Sequence, residues 1–271
     1  MITKTKRGEK MTAIVVVIGG SDPYAGGGIQ TDLMTMQAHN VFGISVLTSI
    51  VTNVNGRFEI HGVAEEIVKA QLDSLTDIHF SAIKIGLIVT KAQVDLIADF
   101  LTEHPQIPVV LDPVFALKET DERQNESLAS YVMERLAMMS TVCTPNLSEA
   151  RALVQEKQPE TKSDLTQLAK QLVERYHIPM CVKGGARFLD REAVDVLATL
   201  QTSHTYTLPL STKQTTNGAG CAFASAIAAN LAVGASLAKA VEQAKQFVYE
   251  SITQGIYVNE TFASIWPKGG I

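Results

Sequence analysis

Short runs of apolar residues alternate along the chain with segments in which apolar residues recur every three to four positions. A short apolar run predicts a buried strand, whereas a period of about 3.6 residues predicts an amphipathic helix. The runs that predict strands cover residues 13–18, 44–51, 82–85, 108–112 and 180–182. The periodic segments predict a helix after Gly28, and others over residues 65–75, 94–101, 165–173, 221–231 and 237–252.

This alternation of strands and helices predicts an α/β fold with three layers, in which helices cover both faces of a central, mostly parallel β-sheet. In such sheets, ligands bind where loops leave the carboxyl ends of the strands. The residues most suited to chemistry are expected in these loops, namely Asp22, Asn53, Asp112, Asn146, Lys183 and Gly218 to Cys221. We therefore expect the functional site at that edge.

No internal repeat or linker divides the chain, which predicts a flexible N-terminal tail over residues 1–11 and a single domain over residues 12–271. The tail is basic but lacks the apolar segment of a secretory signal. The polar segment 118–127 has no apolar period. It is either a mobile loop, such as a lid, or a solvated surface connection.

Composition and charge narrow the functional class. The chain has 271 residues, of which 46% are hydrophobic and 19% charged, and its formal net charge is −5. This charge argues against a nucleic-acid partner, and no apolar run is long enough to span a membrane. The three cysteines are far apart and odd in number, which favours a reducing cytoplasm. Neither a nucleic acid nor a membrane is therefore an expected partner.

The strongest candidate for chemistry is the glycine-rich stretch over residues 215–223, which opens a helix rich in alanine. Two glycines around an alanine, Gly218, Ala219 and Gly220, let successive backbone N–H groups converge at this helix N-terminus. The helix dipole adds about half a positive charge there, which predicts an anion site. The same field predicts a lowered pKa for the Cys221 thiol. The alternative is a tight turn packed on the sheet, with Cys221 as a small buried apolar residue.

A second glycine-rich stretch, over residues 19–30, follows the first predicted strand. It matches neither the dinucleotide-binding pattern nor a P-loop, because its glycines are spaced differently and no Gly-Lys-Ser/Thr follows. Such a loop lets the backbone close over a flat small ligand, with Asp22 as the anchor for a polar group. A flexible strand-to-helix connection is the alternative.

Three further motifs carry two interpretations each. Asn146 and Glu149 have the spacing of a helix N-cap and its capping box, but they could also lie near a magnesium–phosphate cluster. Lys183 is either a surface lysine or a phosphate ligand. Asp112 either starts a turn or supplies a carboxylate to magnesium.

Taken in order, these motifs resemble the branch of the ribokinase-like superfamily that phosphorylates vitamin precursors. This branch contains hydroxymethylpyrimidine/phosphomethylpyrimidine kinases and the pyridoxine/pyridoxal kinases of Gram-positive bacteria. The resemblance extends from Ile14 to about Ile252. It rests on Gly-Ser-Asp-Pro at 20–23, Gly-Gly-Ile-Gln-x-Asp at 27–32, Leu-Asp-Pro-Val at 111–114, Thr-Pro-Asn-x-x-Glu at 144–149, Val-Lys-Gly-Gly at 182–185 and Asn-Gly-Ala-Gly-Cys at 217–221.

The resemblance implies an ATP- and Mg²⁺-dependent kinase, usually a homodimer, and it assigns roles to individual residues. The catalytic group would be Cys221 with the amides of Gly218, Ala219 and Gly220, where sugar-kinase relatives carry an aspartate in place of the cysteine. The nucleotide site would comprise Asn146, Lys183, Gly184, Gly185, Ala186, Arg187, Asp195 and Gly220. Magnesium would lie near Asp112 and Glu149. The substrate pocket would comprise Asp22, Asn53, His61 and Leu87.

Two departures from the family pattern affect the expected substrate. Hydroxymethylpyrimidine kinases carry a glutamine where this chain has Asn53, which favours pyridoxine, pyridoxal or pyridoxamine as the phosphate acceptor. The Gram-positive pyridoxal kinases often carry a second cysteine where this chain has Leu117. Three alternatives stay open: a hydroxymethylpyrimidine/phosphomethylpyrimidine kinase of thiamine biosynthesis, an enzyme that uses Cys221 as a nucleophile, and a non-catalytic vitamin sensor.

Overall fold

A computed structural model describes residues 12–55, 57–114, 122–185, 188 and 192–268, so the predicted tail over residues 1–11 lies outside the described part. The strands, in chain order, are β1 (Ile14–Ser21), β2 (Phe42–Val54), β3 (Arg57–Gly62), β4 (Ala82–Ile85), β5 (Val109–Leu111), β6 (Val142–Cys143), β7 (Met180–Lys183), β8 (Glu192–Ala198), β9 (Ser203–Pro209), β10 (Ile256–Tyr257) and β11 (Ala263–Ser264). The helices are α1 (Gly28–Ala38), α2 (Glu65–Asp73), α3 (Lys91–Thr102), α4 (Glu122–Leu136), α5 (Leu147–Val154), α6 (Lys162–Tyr176), α7 (Ala219–Ala232) and α8 (Leu237–Thr253).

Nine strands form one sheet in the order β3-β2-β1-β4-β5-β6-β7-β8-β9, and β10 pairs with β11 separately. The six strands that are neighbours in the order β2-β1-β4-β5-β6-β7 are parallel to one another. Strands β3, β8 and β9 are antiparallel to their neighbours. The predicted α/β class with a mostly parallel sheet is confirmed.

Helices cover both faces of this sheet and bury two separate apolar cores. Helices α2 to α6 pack on one face, and α1, α7 and α8 pack on the other. Strand β1 contributes to both cores, with Val16 and Ile18 on the first face and Val15 and Val17 on the second. A strand buried on both faces needs apolar residues at every position, which explains the continuous run that predicted it.

The connections reverse direction beside β1, which lies between β2 and β4. Helix α1 leads from β1 to β2 on one face, and α3 leads from β4 to β5 on the other. Open α/β sheets bind ligands at such a reversal, outside the carboxyl ends of the strands. Helix α7 packs over β1, β4 and β5 at this point. Among the described helices, none is long and apolar enough to cross a membrane.

Several predictions of local structure were wrong. Strand β2 continues to Val54, so Asn53 lies within a strand and not in a loop. Strand β6, the antiparallel strands β3, β8 and β9, and the short strands β10 and β11 were not predicted. Helix α4 begins at Glu122, inside the segment 118–127 that was expected to be a loop, and residues 118–121 lie outside the described part. Glutamate, arginine and glutamine favour a helix even where no apolar period marks one.

Candidate active site

The N-termini of α1 and α7 meet at the carboxyl ends of the central strands. The backbone N–H of Gly28, the first residue of α1, donates a hydrogen bond to the Cys221 Sγ in the first turn of α7, at 3.4 Å. Gly218 caps α7 with a φ of 85°, a left-handed conformation that favours glycine. Two helix N-termini at one point concentrate backbone N–H groups and positive potential, so the geometry suits a bound anion.

The Cys221 thiol does not have the lowered pKa that the sequence predicted. Desolvation by burial raises the pKa of Cys221 to about 11. The nearby Lys84 and the N–H of Gly28 lower it, and Asp32 and Asp112 raise it further. Burial therefore outweighs the cation and the amide, and Cys221 is a neutral thiol at physiological pH.

The glycine-rich loop that precedes α1 is organised by Asp22. Its Oδ1 accepts a hydrogen bond from the N–H of Tyr24 and its Oδ2 one from the N–H of Gly26, both at 2.9 Å. Phe262, next to β11, packs on the loop with its ring 5.2 Å from that of Tyr24, and a side chain at Gly26 would collide with it. The loop is thus a defined structure, which does not support a merely flexible connection.

Lys183 reaches the first turn of α7 from the end of β7. Its Nζ donates a hydrogen bond to Asp112 Oδ1 at 2.7 Å, and the same oxygen accepts one from Thr144 Oγ1 at 3.1 Å. A Cβ added to Gly220 would lie 3.4 Å from this Nζ. The side chain is only 13% exposed, so the surface-lysine interpretation is wrong.

The charge of Lys183 is maintained by the carboxylates around it. Burial alone would lower the pKa of Lys183, but the carboxylates of Asp112 and Glu149 outweigh it and raise the pKa. The lysine therefore brings a permanent positive charge to the anion site.

The capping interpretation of Asn146 and Glu149 is confirmed. Asn146 Oδ1 accepts a hydrogen bond from the N–H of Glu149 at 3.0 Å, and Glu149 Oε2 accepts one from the N–H of Asn146 at 2.7 Å. Asn146 also pairs with Lys183 in an isolated parallel bridge. The cap thus holds Glu149 beside the lysine, so structural and functional roles are compatible here.

The two predicted magnesium carboxylates, Asp112 and Glu149, both lie near enough to Lys183 to raise the pKa of its ammonium. Within the described residues, no group of three or more His, Cys, Asp or Glu side chains could hold a metal ion. In kinases, however, one or two carboxylates with phosphate oxygens and waters are enough for Mg²⁺. Asp112 and Glu149 therefore suit a metal ion that binds together with a nucleotide better than one that the protein holds by itself.

The remaining residues of the predicted nucleotide site lie at the β7–β8 end of the sheet. Gly184 donates its N–H to the Val194 carbonyl at 3.0 Å, and a Cβ on Gly185 would meet no atom within 4 Å. Asp195 is buried, and its Oδ2 accepts a hydrogen bond from Lys245 Nζ of α8 at 2.7 Å. Its carboxylate therefore has a structural partner. Ala186 and Arg187 lie outside the described residues, as does Leu117.

The predicted substrate residues are only partly brought together. Asn53 pairs with Phe58 across the β2–β3 ribbon, whereas His61 pairs with Ile50. Because cross-strand partners share a face and faces alternate along a strand, Asn53 and His61 lie on opposite faces of the ribbon. The roles of Asn53 and His61 as substrate residues stay predictions, and in this chain the two side chains leave the ribbon on opposite sides.

Leu87 follows β4 and lies beside the end of β1. Its carbonyl accepts a hydrogen bond from Thr48 Oγ1 at 2.6 Å. Its Cδ2 would lie 3.1 Å from a Cβ on Gly20, just before Asp22 in the chain. Leu87 and the glycine-rich loop are therefore neighbours, as a common pocket requires.

Sequence reasoning missed a buried ion pair beneath Cys221. Lys84 Nζ donates a hydrogen bond to Asp32 Oδ2 at 2.9 Å, and Ser225 Oγ donates one to Asp32 Oδ1 at 2.7 Å. Burial alone would lower the pKa of Lys84, but the Asp32 carboxylate raises it on balance. One signal was available, since Lys84 is the lone charged residue of an otherwise apolar strand, β4.

Comparison with known proteins agrees with this geometry. A sequence profile of phosphomethylpyrimidine kinases matches residues 22–266. The chain belongs to the phosphomethylpyrimidine kinase family. Its relatives include a pyridoxine kinase of Bacillus subtilis, 33% identical over 90% of this chain and 92% of the relative. A hydroxymethylpyrimidine/phosphomethylpyrimidine kinase of Rhizobium meliloti is 34% identical over 90% of this chain and 91% of the relative.

Solved structures of the family superimpose on this chain. The ADP complex of Bacillus subtilis pyridoxal kinase has a TM-score of 0.90 at 31% identity, covering 96% of this chain and 98% of that one. A phosphomethylpyrimidine kinase from Clostridium difficile has a TM-score of 0.74 at 28% identity, covering 89% and 100%. The predicted family and kinase activity are thereby confirmed, and the chain is a kinase.

Proposed function

We propose that this kinase transfers the terminal phosphoryl group of ATP to the hydroxymethyl group of pyridoxine, pyridoxal or pyridoxamine. The observation that carries the proposal is the meeting of the α1 and α7 N-termini at Cys221, with the Lys183 ammonium beside them. Phosphoryl transfer is catalysed mainly by positioning and by electrostatic stabilisation of the moving group. A cradle of amides with one fixed cation supplies both.

In this proposal, the amides of Gly218, Gly220 and Cys221 receive the transferred phosphoryl group, whereas the N–H of Ala219 already donates a hydrogen bond to the Thr216 carbonyl at 3.2 Å. The Cys221 thiol has a pKa of about 11, so it contacts the phosphoryl oxygens as a neutral group and contributes little as a base. A loose transition state needs little removal of the alcohol proton before transfer, which makes a strong base unnecessary. The same neutral thiol weakens the cysteine-nucleophile alternative, since in the described part of the chain no histidine hydrogen-bonds Cys221.

The nucleotide would bind along the loops after β6 and β7, at Asn146, Gly184 and Gly185. Asp112 and Glu149 would hold Mg²⁺ together with the nucleotide phosphates, and the ion would neutralise phosphate charge. Lys183, which now pairs with Asp112, lies close enough to α7 to contact the same phosphates.

The acceptor would bind between the glycine-rich loop, Leu87 and Asn53. A hydroxymethylpyrimidine presents an amino donor beside a ring acceptor, and a glutamine amide can pair with both. Asn53 is one methylene shorter and does not reach as far. Pyridoxine presents a phenolic oxygen and a ring nitrogen, which Asp22 and Asn53 can pair with. The greater similarity in fold to a pyridoxal kinase than to a phosphomethylpyrimidine kinase supports the same choice.

The substrate is tested by measuring kcat/KM for pyridoxine and for hydroxymethylpyrimidine on the wild type and on Asn53→Gln. Each unpaired buried polar group costs about 1–3 kcal/mol, so we expect a wild-type preference for pyridoxine of about tenfold or more. Asn53→Gln is expected to shift the ratio toward the pyrimidine. A wild-type preference for the pyrimidine would instead identify a kinase of thiamine biosynthesis, and a ratio unchanged by the substitution would show that Asn53 does not select the acceptor.

The homodimer and the cytoplasmic location stay predictions. Ile50 and Val54 support a dimer through the β2–β3 ribbon, since they share the face of His61 and are 47% and 65% exposed. A partner on that face would cover apolar surface that a monomer leaves in water.

A further inference from the structure

Helices α1 and α7 lie side by side with their contacts in register. The N–H of Gly28 meets Cys221 Sγ at the ends of the helices, and Asp32 Oδ1 meets Ser225 Oγ deeper in the fold. Each contact is four residues from the other on both helices, which is about one helical turn. The two helices thus run in the same direction and are joined by hydrogen bonds at two successive turns.

The deeper of these two contacts, the Asp32–Ser225 hydrogen bond, is connected to the sheet by an ion pair. Asp32, Ser225 and Lys84 are 0%, 0% and 1% exposed, and Lys84 comes from β4. Asp32 accepts hydrogen bonds from both partners, so a single carboxylate links α1, α7 and the central strand beneath them. A buried ion pair contributes little stability compared with apolar residues of the same size, because both charges lose their hydration. A contribution to stability alone therefore does not explain why these three polar residues are buried together.

We propose that Asp32, held by Lys84, is a positioning residue that sets the register of α7 against α1 through Ser225. This inference rests on the proposed function, in which the first turn of α7 receives the phosphoryl group and the loop before α1 holds the acceptor. The two halves of the reaction then belong to different helices. The Asp32–Ser225 hydrogen bond fixes the distance between them one turn below the reacting atoms.

The substitution Ser225→Ala tests this role, because it removes the hydrogen bond between α7 and α1 and leaves the Lys84–Asp32 ion pair in place. Displacement of reacting groups by about 1 Å can cost on the order of 100-fold in rate, so we expect kcat to fall about 10-fold to 100-fold. The KM values for ATP and for the acceptor should change less than about threefold, since both half-sites stay intact.

Ser251→Ala is the matched control. Ser251 is also buried, at 2% exposure, but its hydroxyl donates only to the Phe247 carbonyl of its own helix, α8. We expect this variant to keep kcat within about twofold of the wild type. If the two variants show the same kcat, the positioning role is refuted. Melting temperatures of both variants separate a loss of alignment from a loss of folded protein.

A second readout does not depend on kinase activity. The rate of Cys221 alkylation by iodoacetamide at a fixed pH reports how tightly the α1 loop covers the thiol. We expect Ser225→Ala to raise this rate at least about threefold, and Ser251→Ala to leave it unchanged. An unchanged rate in folded Ser225→Ala would refute the positioning role even if the wild type transferred no phosphoryl group. Absence of transfer by the wild type would refute the proposed function alone.

Discussion

Opposing influences act on Cys221, and their balance decides what the residue can do. The N-terminus of α7 and the nearby Lys84 favour a thiolate, but desolvation by burial favours the thiol more strongly. Sequence reasoning identified the favourable field and could not weigh the burial, because burial depends on how the loop before α1 covers the sulfur. Lys183, in contrast, keeps its charge because the carboxylates of Asp112 and Glu149 raise the pKa of its ammonium.

The pH dependence of thiol alkylation tests this balance. With a pKa of about 11, Cys221 should react slowly near neutral pH, and its rate should rise about tenfold per pH unit up to about pH 10. Iodoacetamide labelling followed by mass spectrometry measures the rate. The Cys221→Ala variant gives the background from Cys143 and Cys181, which are both buried. A rate that levels off below about pH 8 would show a lowered pKa and contradict this description.

At the scale of elements, the sequence predicted what local patterns encode. Except for the two-residue strand β6, the parallel strands of the central sheet and the helices with a clear apolar period were predicted close to their observed limits, and the Asn146 capping box was predicted correctly. The antiparallel strands at the sheet edges were missed, since β3 and β9 are largely exposed and carry mixed polar and apolar residues.

The contacts between side chains in the site were not predicted, for a different reason. The Gly28–Cys221 and Asp32–Ser225 contacts each join residues 193 positions apart. No periodicity or spacing within one sequence reports such a pairing. The motifs predicted which loops carry chemistry, but not which side chains meet or which face of the β2–β3 ribbon each one occupies.

Helix α5 offers a test of whether Glu149 acts only as a cap. Glu149→Gln preserves an oxygen acceptor for the N–H of Asn146, so the cap should lose less than about 1 kcal/mol of its stabilising effect. If the carboxylate also serves the metal, the Mg²⁺ concentration for half-maximal activity should rise about tenfold or more.

The control for this prediction is Asp164→Asn, which changes the equivalent residue of the capping box of α6 with Thr161. Thermal melting and a magnesium titration are measured on the same samples. We expect similar small losses of stability in both variants and a changed magnesium dependence only in Glu149→Gln. Equal magnesium dependence in the two variants would leave Glu149 as a structural cap.

At the scale of the whole molecule, the topology places the chemistry. The connections reverse direction between β1 and β4, so the first turns of α1 and α7 lie together over the carboxyl ends of the central strands. Parallel strands bring the loops after β5, β6 and β7 to the same edge, which is why Asp112, Asn146 and Lys183 meet although they are far apart in sequence. The fold thus brings scattered polar positions together at one edge of the sheet.

The central claim is that this edge transfers a phosphoryl group from ATP to the hydroxymethyl group of a B6 vitamer. The most direct measurement incubates the protein with ATP, Mg²⁺ and pyridoxine, and quantifies ADP and the phosphorylated product by mass spectrometry. We expect equal amounts of ADP and pyridoxine monophosphate, and a kcat about 10-fold to 1,000-fold lower in folded Cys221→Ala. Binding of pyridoxine without any phosphorylated product would contradict the account and identify the chain as a sensor.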